Sequence, residues 1–349
     1  MSEELRAAIY DVVSDNNIPW NELKDKTVLV TGATGVIGGI LVRALFAANM
    51  ESGLNMHIIG CGRNRGKGEI LVKELNLEFL EGDIGNPEML KKISTGIDFI
   101  VHCASITKSA DMVSRPVEVI MTAANGTKNM LDLAKETACK GFVFLSSMEI
   151  YGGISKAEVC ESDLGYLDLS NPRSSYPESK RFCEAMCVAY SKQYGIPVKI
   201  ARLARTFGAG VSNDEDDMRV ASQFIRRAIA GQDIELHTEG RSIANCCDTS
   251  DAVRGILTIL LKGESGEAYT VANPLAGVTI KEMAEIVAND VCGGKIKVVV
   301  NIPEDIKKRG YAPDVGYRLN IEKIEKLGWK PQYNISEMYK RMFLYWKGI

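Results

Sequence analysis

Tyr176 and Lys180 stand four residues apart in Tyr176-Pro177-Glu178-Ser179-Lys180, so on a helix they share one face. An ammonium beside a phenol favours the phenolate and lowers its pKa toward working pH, as a general base requires. Upstream, Ser146-Ser147-Met148-Glu149-Ile150-Tyr151-Gly152 closes an apolar run and offers a hydroxyl to the same substrate oxygen. Tyr176, Lys180 and a hydroxyl from the Ser146-Ser147 pair are therefore the candidate catalytic groups. A different chemistry sits near the start of the chain, in Thr31-Gly32-Ala33-Thr34-Gly35-Val36-Ile37-Gly38-Gly39. Gly32 permits a tight turn, Gly35 lets a pyrophosphate approach the backbone, and Gly38 allows close helix–strand packing. The helix that follows offers free amides and a positive dipole end.

This turn predicts a dinucleotide site built on Gly32, Thr34, Gly35, Val36, Ile37 and Gly38. At the end of the second strand an acid would hold the ribose 2′-OH, but Gly60-Cys61-Gly62-Arg63-Asn64-Arg65 has none. Arg63 and Arg65 tolerate a 2′-phosphate, or else stand in solvent or stack on adenine. The cofactor is NAD or NADP. Asp83, followed by Ile84, is placed after the third strand to accept from an adenine amino group.

Short apolar runs supply the elements that must carry these residues. Thr27 to Thr31, Met56 to Cys61, Leu77 to Leu80, Phe99 to Cys103, Phe142 to Leu145 and Val198 to Leu203 read as strands. Helical patterns run from Val36 to Asn49 and from Val117 to Ala138, where Ile120, Ala124, Met130, Leu131 and Ala134 can share a face. Such alternation argues for an α/β protein with a Rossmann-type, doubly wound parallel sheet. After residue 205 the elements shorten, with helices predicted from Met218 to Ala230, Ser250 to Leu261, Ile280 to Val291 and Ile335 to Trp346. The expected organisation is an N-terminal extension over 1–26, anchored by Trp20 and Leu23. An NAD(P)-binding domain over 27–205 and a smaller α/β substrate lobe over 206–349 follow, with room for chain exchange between them.

Composition narrows the function classes. The 349 residues carry 42 basic and 45 acidic side chains, a net charge of −3 that recruits neither nucleic acid nor an anionic membrane. No apolar run approaches the length of a membrane span. The acidic start Met1-Ser2-Glu3-Glu4 is unlike a secretory signal, so a cytoplasmic location is expected. The nine cysteines form no C-x-x-C pair, and His57, His102 and His237 are the only histidines. Reduced thiols and no metal site are expected.

Together, TGATGVIGG, HCAS (102–105), SSMEIYG, YPESK and RLARTFG (202–208) resemble the extended short-chain dehydrogenases/reductases, in their nucleotide-sugar epimerase/dehydratase branch. The segment ESDLGYLDLSNPRSSYPESKRFCEAMC looks especially like UDP-glucuronate decarboxylases. The resemblance covers roughly residues 25 to 345. It implies NAD(P) in the large domain, with Cys103, Ala104, Ser105, Tyr176 and Lys180 also at the cofactor. It further implies a nucleotide sugar in the small lobe, a homodimer built on two helices per subunit, and chemistry by transient oxidation at C4. Ser147 then matches the catalytic Ser/Thr, Tyr176 the general base, Lys180 its partner, and Glu149 the glutamate of T-x-E-V-Y-G.

Four positions depart from the family pattern. Met148 replaces the aspartate with which dehydratases protonate a leaving hydroxyl. Ala123 replaces an asparagine, although Asn125 lies two residues on. Ala244 replaces the arginine that grips the diphosphate, and Arg205 stands where the substrate asparagine is usual. Arg205 can grip an anion with a planar fork, and Arg219, Arg241 and Arg318 are further candidates for the substrate. The leading expectation is a UDP-glucuronate decarboxylase-like enzyme. Alternatives are a nucleotide-sugar 4-epimerase, an NADP-dependent carbonyl reductase, or a dinucleotide-binding protein that has lost turnover.

Overall fold

A computed structural model gives the fold and describes residues 1–93, 96–214, 219–304 and 315–348. The chain opens with helix α1 (Glu3–Val13) and then alternates. Strands β1 (Thr27–Thr31), β2 (His57–Gly62), β3 (Glu78–Glu81), β4 (Phe99–His102) and β5 (Gly141–Ser147) are separated by α2 (Val36–Ser52), α3 (Arg65–Leu75), α4 (Ser109–Ser114) and α5 (Pro116–Glu136). Short β6 (Glu158–Val159) and long α6 (Ser175–Tyr194) lead to β7 (Val198–Leu203). Then come β8 (Arg205–Phe207), α7 (Val220–Ala230), β9 (Ile234–Leu236), β10 (Ile243–Asp248), α8 (Thr249–Lys262) and β11 (Ala268–Val271). The last elements are β12 (Asn273–Thr279), α9 (Ile280–Ile286), β13 (Val298–Val300), β14 (Arg318–Leu319), α10 (Glu322–Glu325) and α11 (Ile335–Lys347).

Seven strands form one parallel sheet in the order β11-β7-β5-β4-β1-β2-β3. Its strands are apolar on both faces because helices cover both. Val28 and Val30 face one core with Ile40, Leu41 and Leu45 of α2 and Ile256 and Leu260 of α8. Leu29 between them faces the other, with Phe142, Phe144, Met130, Leu131, Cys183 and Cys187. Each fully buried aliphatic side chain contributes about 1.5–3 kcal/mol, so a one-residue slip of β1 would be costly on both faces.

β11, a seventh strand beyond the six runs expected, brings the chain back to the large sheet from the C-terminal half. It pairs in parallel with β7, Ala268 opposite Ile200 and Val271 opposite Leu203. A three-stranded sheet, β12-β10-β8, builds a separate core with Phe224, Ile225, Met283, Met338 and Tyr339. Residues 1–26 include a helix that composition did not reveal. Ser2 caps α1, whose Leu5, Ala8, Ile9 and Val12 are buried, and Leu23 is buried behind it. Asp11 accepts from Tyr333 (2.7 Å) and Arg341 (2.8 Å), while Asp15 pairs with Arg254 at 2.7 Å, so α1 is tied to α8 and to α11.

Three details differ from the sequence reading. Ile120 does not share the inner face of α5. It is exposed, and Val119 and Ala123 take the inward phase with Met130, Leu131 and Ala134. The helix begins at Pro116, and only its first half departs from the expected face, since Met130, Leu131 and Ala134 are buried as expected. The segment from Ile280 leaves α-helical geometry at Ile286 and finishes as a π-turn over Val287–Val291. Met218, expected as a helix start, lies outside the described residues; α7 begins at Val220.

Candidate active site

The C-terminal ends of β1, β2, β4 and β5 open onto one cleft of about 1370 Å³. All the cofactor candidates border it: Gly32, Thr34, Gly35, Val36, Ile37, Gly38, Arg63, Asn64, Asp83, Ile84, Cys103, Ala104 and Ser105. The turn fits a dinucleotide for reasons visible in its backbone. Gly32 has φ +67°, and a Cβ there would lie 2.9 Å from the Ala104 amide nitrogen. A Cβ at Gly38 would lie 2.2 Å from the Gly32 carbonyl oxygen, so α2 starts hard against the turn. Gly35 precedes α2 with no side-chain cap, which leaves its first amides without a local acceptor. Asn64 caps α3 by accepting from the Lys67 amide at 2.9 Å, and Asp83 accepts from Gly85 at 2.8 Å. Arg65 does not border the cleft. It pairs with Glu69 at 2.9 Å, and Lys67, one turn into α3, borders the cleft with Arg63.

α6 carries the Tyr–Lys pair into the same cleft. Lys180 is buried, donates to the Leu145 carbonyl at 2.7 Å and lies 4.6 Å from the Phe144 ring centroid. Its ammonium is 5.8 Å from the centre of the Tyr176 ring. The Tyr176 hydroxyl faces the Ser147 hydroxyl, whose Oγ accepts from the Glu149 amide at 3.2 Å. Burial, and next the negative charge of Glu149, push the Tyr176 phenol above the ordinary tyrosine value, while the Ser147 hydroxyl and Arg173 act the other way. Burial also lowers Lys180. The i, i+4 spacing suggested that Lys180 sets the phenol; in the folded chain the Leu145 carbonyl takes its ammonium, and burial dominates.

Glu149 meets a residue the sequence reading passed over. Arg173 grips it as a fork, with Nη1 to Oε2 at 2.8 Å and Nη2 to Oε1 at 3.2 Å. The available signal was Arg173 standing three residues before Tyr176, one helical turn from the base. Met148 packs against the core and also borders the cleft beside Glu149, with a thioether that has no proton to give.

Of the four arginines proposed for the substrate, Arg205 and Arg219 border the cleft. Arg241 and Arg318 do not. Arg318 belongs to β14 and donates to the Gly277 carbonyl at 3.0 Å, and Arg241 is exposed on the approach to β10. Arg227, His237 and Tyr317 border the cleft unforeseen. Ala244 is buried in the small core opposite Val278, with no access to the cleft. Ala123 is buried too, Asn125 is exposed, and the buried asparagine of this helix is Asn129, which donates to the Ile84 carbonyl at 2.8 Å. All nine cysteines are free thiols, and no cluster of metal-ligating side chains occurs among the described residues.

Residues 28–272 match the NAD dependent epimerase/dehydratase family. The chain belongs to that family. Among its relatives is UDP-glucuronic acid decarboxylase 6 of Arabidopsis thaliana, 31% identical over 317 residues, which cover 89% of this chain and 85% of the relative. UDP-glucuronic acid decarboxylase 1 of Xenopus tropicalis is 28% identical over 331 residues, 94% of this chain and 73% of the relative. The dTDP-glucose 4,6-dehydratase of Streptomyces venezuelae, solved with NAD bound, superposes with a TM-score of 0.75 at 25% identity, covering 92% of this chain and 96% of that one. The UDP-glucose 4-epimerase of Thermotoga maritima superposes with a TM-score of 0.78 at 23% identity, covering 92% and 98%. This epimerase/dehydratase-family member is thus an NAD-dependent enzyme of the extended short-chain dehydrogenase/reductase type. Among the described residues no helix is long and apolar enough to cross a membrane.

Beneath the glycine turn of this family member, His102 is wholly buried between Thr31 Oγ1 (2.8 Å from Nδ1) and Thr127 Oγ1 (3.3 Å from Nε2). Thr31 Oγ1 also accepts from the Ala104 amide at 3.2 Å, so the histidine braces the floor of the dinucleotide site. Burial, then the Lys180 charge, lower His102 from 6.5 to about 3. The unfolded chain therefore binds a proton here that the native state refuses, and the stability held above pH 6.5 is lost as pH falls toward 3. Urea midpoints measured across that window should fall with pH, and His102→Gln should flatten the slope. An unchanged slope in that variant would show that His102 carries none of the acid sensitivity.

Proposed function

We propose that this enzyme decarboxylates UDP-glucuronate through transient oxidation at C4 of the sugar. The observation that carries the reading is the Glu149–Arg173 pair beside Ser147 and Tyr176, with the protonless Met148 bordering the cleft where a dehydratase needs its proton donor. A site without that donor suits loss of carbon dioxide, which has no hydroxyl leaving group to protonate. Relatives that match about nine-tenths of the chain are named UDP-glucuronic acid decarboxylases, which supports the same choice.

The glycine turn after β1, Asp83, the β4 end at Cys103–Ser105 and Lys180 would hold NAD. When bound, NAD supplies reversible hydride chemistry. As its phenolate, Tyr176 takes the C4 hydroxyl proton at its phenolic oxygen, with the Ser147 hydroxyl facing it. The C4 ketone makes the C6 carboxylate a β-keto acid. Its C5–C6 bond breaks with release of carbon dioxide, and the bonding pair moves toward the C4 oxygen. Tyr176 and Ser147 donate to that oxygen as its charge grows. The proton that C5 must then gain comes from a water molecule, which the Glu149 carboxylate on the turn after β5 would orient. Tyr176 finally returns its proton to the C4 oxygen.

NAD is the cofactor we propose, with a 2′-phosphate tolerated by Arg63 and Lys67 at the acid-free end of β2. That pair is also the observation favouring a net, NADP-dependent carbonyl reductase as a second reading. The partner we propose is a second copy, seated on α5 and α6, which expose Val117, Ile120, Met121 and Phe182. Light scattering should then show a dimer that Met121→Glu with Phe182→Glu disrupts; a monomeric parent chain would remove the proposal.

Incubation with UDP-glucuronate and NAD, followed by proton NMR, should show UDP-xylose. Tyr176→Phe should lower kcat about 10²- to 10⁴-fold. An unchanged sugar spectrum would overturn the decarboxylase reading, and undiminished turnover in the variant would remove Tyr176 from the chemistry.

A further inference from the structure

Arg173 lies in a single 3₁₀ turn (Pro172–Ser174) that runs directly into α6. The turn is pinned at both ends. Asn171 Oδ1 accepts from the Arg173 amide at 3.0 Å, and Ser174 Oγ donates to the Asp168 carbonyl at 2.6 Å. Opposite it, Glu149 sits in the turn Met148–Tyr151, which Ser147 caps. Both partners are thus mounted on fixed backbone, within a few residues of Ser147 and Tyr176. Their side chains are 29% and 32% exposed, so the fork closes on the wall of the cleft rather than in bulk water.

The groups facing Tyr176 are few. Glu149 and Arg173 come from the two turns, the Ser147 hydroxyl from the end of β5, and Lys180 from its own helix, committed to the Leu145 carbonyl. The Glu149 charge opposes the phenolate, and the Arg173 charge favours it. A bidentate guanidinium can offset that carboxylate and fix its direction together, which a lysine ammonium cannot do.

We propose that Arg173 is a positioning residue whose fork aims the Glu149 carboxylate and cancels the charge that this carboxylate would otherwise impose on Tyr176. An anionic sugar then meets a neutral pair instead of a bare carboxylate, which suits the hexuronate of the proposed function. For the identity of the reaction the inference rests on that reading; the charge relation holds with no sugar present.

The test is an ultraviolet titration of phenolate in the NAD-loaded enzyme, with Tyr176→Phe subtracted to isolate one of 12 tyrosines. Arg173→Gln should move the Tyr176 midpoint up by about one pH unit, roughly tenfold less phenolate at a given pH. Arg173→Lys should titrate near the parent yet lose about 10- to 100-fold in kcat with little change in KM, because charge is kept and direction is lost. The double variant Glu149→Gln with Arg173→Gln should return the midpoint to the parent value, a rescue that a misfolded site would not give. Arg173→Gln titrating with the parent, or a double variant as displaced as the single one, would overturn the proposal. Failure to turn over UDP-glucuronate while these midpoints move as expected would instead reject the decarboxylase reading alone.

Discussion

The bond from the Lys180 ammonium to the Leu145 carbonyl, 2.7 Å long and shut away from water, is the joint on which the site depends. A buried ammonium is costly unless hydrogen-bonded, so this contact locks the first turns of α6 against the end of β5. Tyr176, one turn earlier, is thereby held against Ser147. Two further ties stop α6 from sliding. Glu184 pairs with Arg202 of β7 at 2.7 Å, and Arg181 donates to the carbonyls of Ile150 (2.6 Å) and Gly165 (2.8 Å). The sheet order does the rest. β1 lies two strands from β5, about 10 Å at ordinary strand spacing, so the dinucleotide turn and the catalytic turn open on one cleft.

Electrostatic balance follows from that scaffold. The catalytic corner holds one carboxylate, one guanidinium, one ammonium and two hydroxyls. Each charge has a named partner, Glu149 with Arg173 and Lys180 with Leu145. Away from that corner the cleft is bordered by two further arginines, Arg205 and Arg219. Met148 borders the cleft with no proton to give, at the position from which a family dehydratase would protonate a departing hydroxyl. What is left is a site shaped for proton exchange at an oxygen and at its neighbouring carbon, with anion binding alongside.

How much of this could be read from the chain depends on how local each signal was. The glycine spacing and the Tyr176/Lys180 pair were legible because strand-to-helix turns and helix faces are set by neighbours a few residues away. The partner of Glu149 was not, because Arg173 lies 24 residues on and only the docking of α6 brings them together. The arginines divided for the same reason. Arg205 continues from β7 into the cleft, while Arg318 is carried off by the pairing of β14 with β6. Ile120 was read one residue out of phase, since an amphipathic pattern rich in alanine does not tell a sheet-facing stripe from an apolar outer one. α1 was hidden by its charges; Asp11 within it and Asp15 just after it turn inward to arginines more than 200 residues away.

The central claim is that C4 of the sugar is oxidised and then restored within a single site. UDP-glucuronate carrying deuterium at C4, mixed with the NAD-loaded enzyme and quenched at short times, tests it by mass spectrometry. The account requires a 4-keto pentose nucleotide that has lost the label, followed by a UDP-pentose that carries it again. A product formed with no unlabelled keto species at any time, or one that ends with hydrogen at C4, would contradict it.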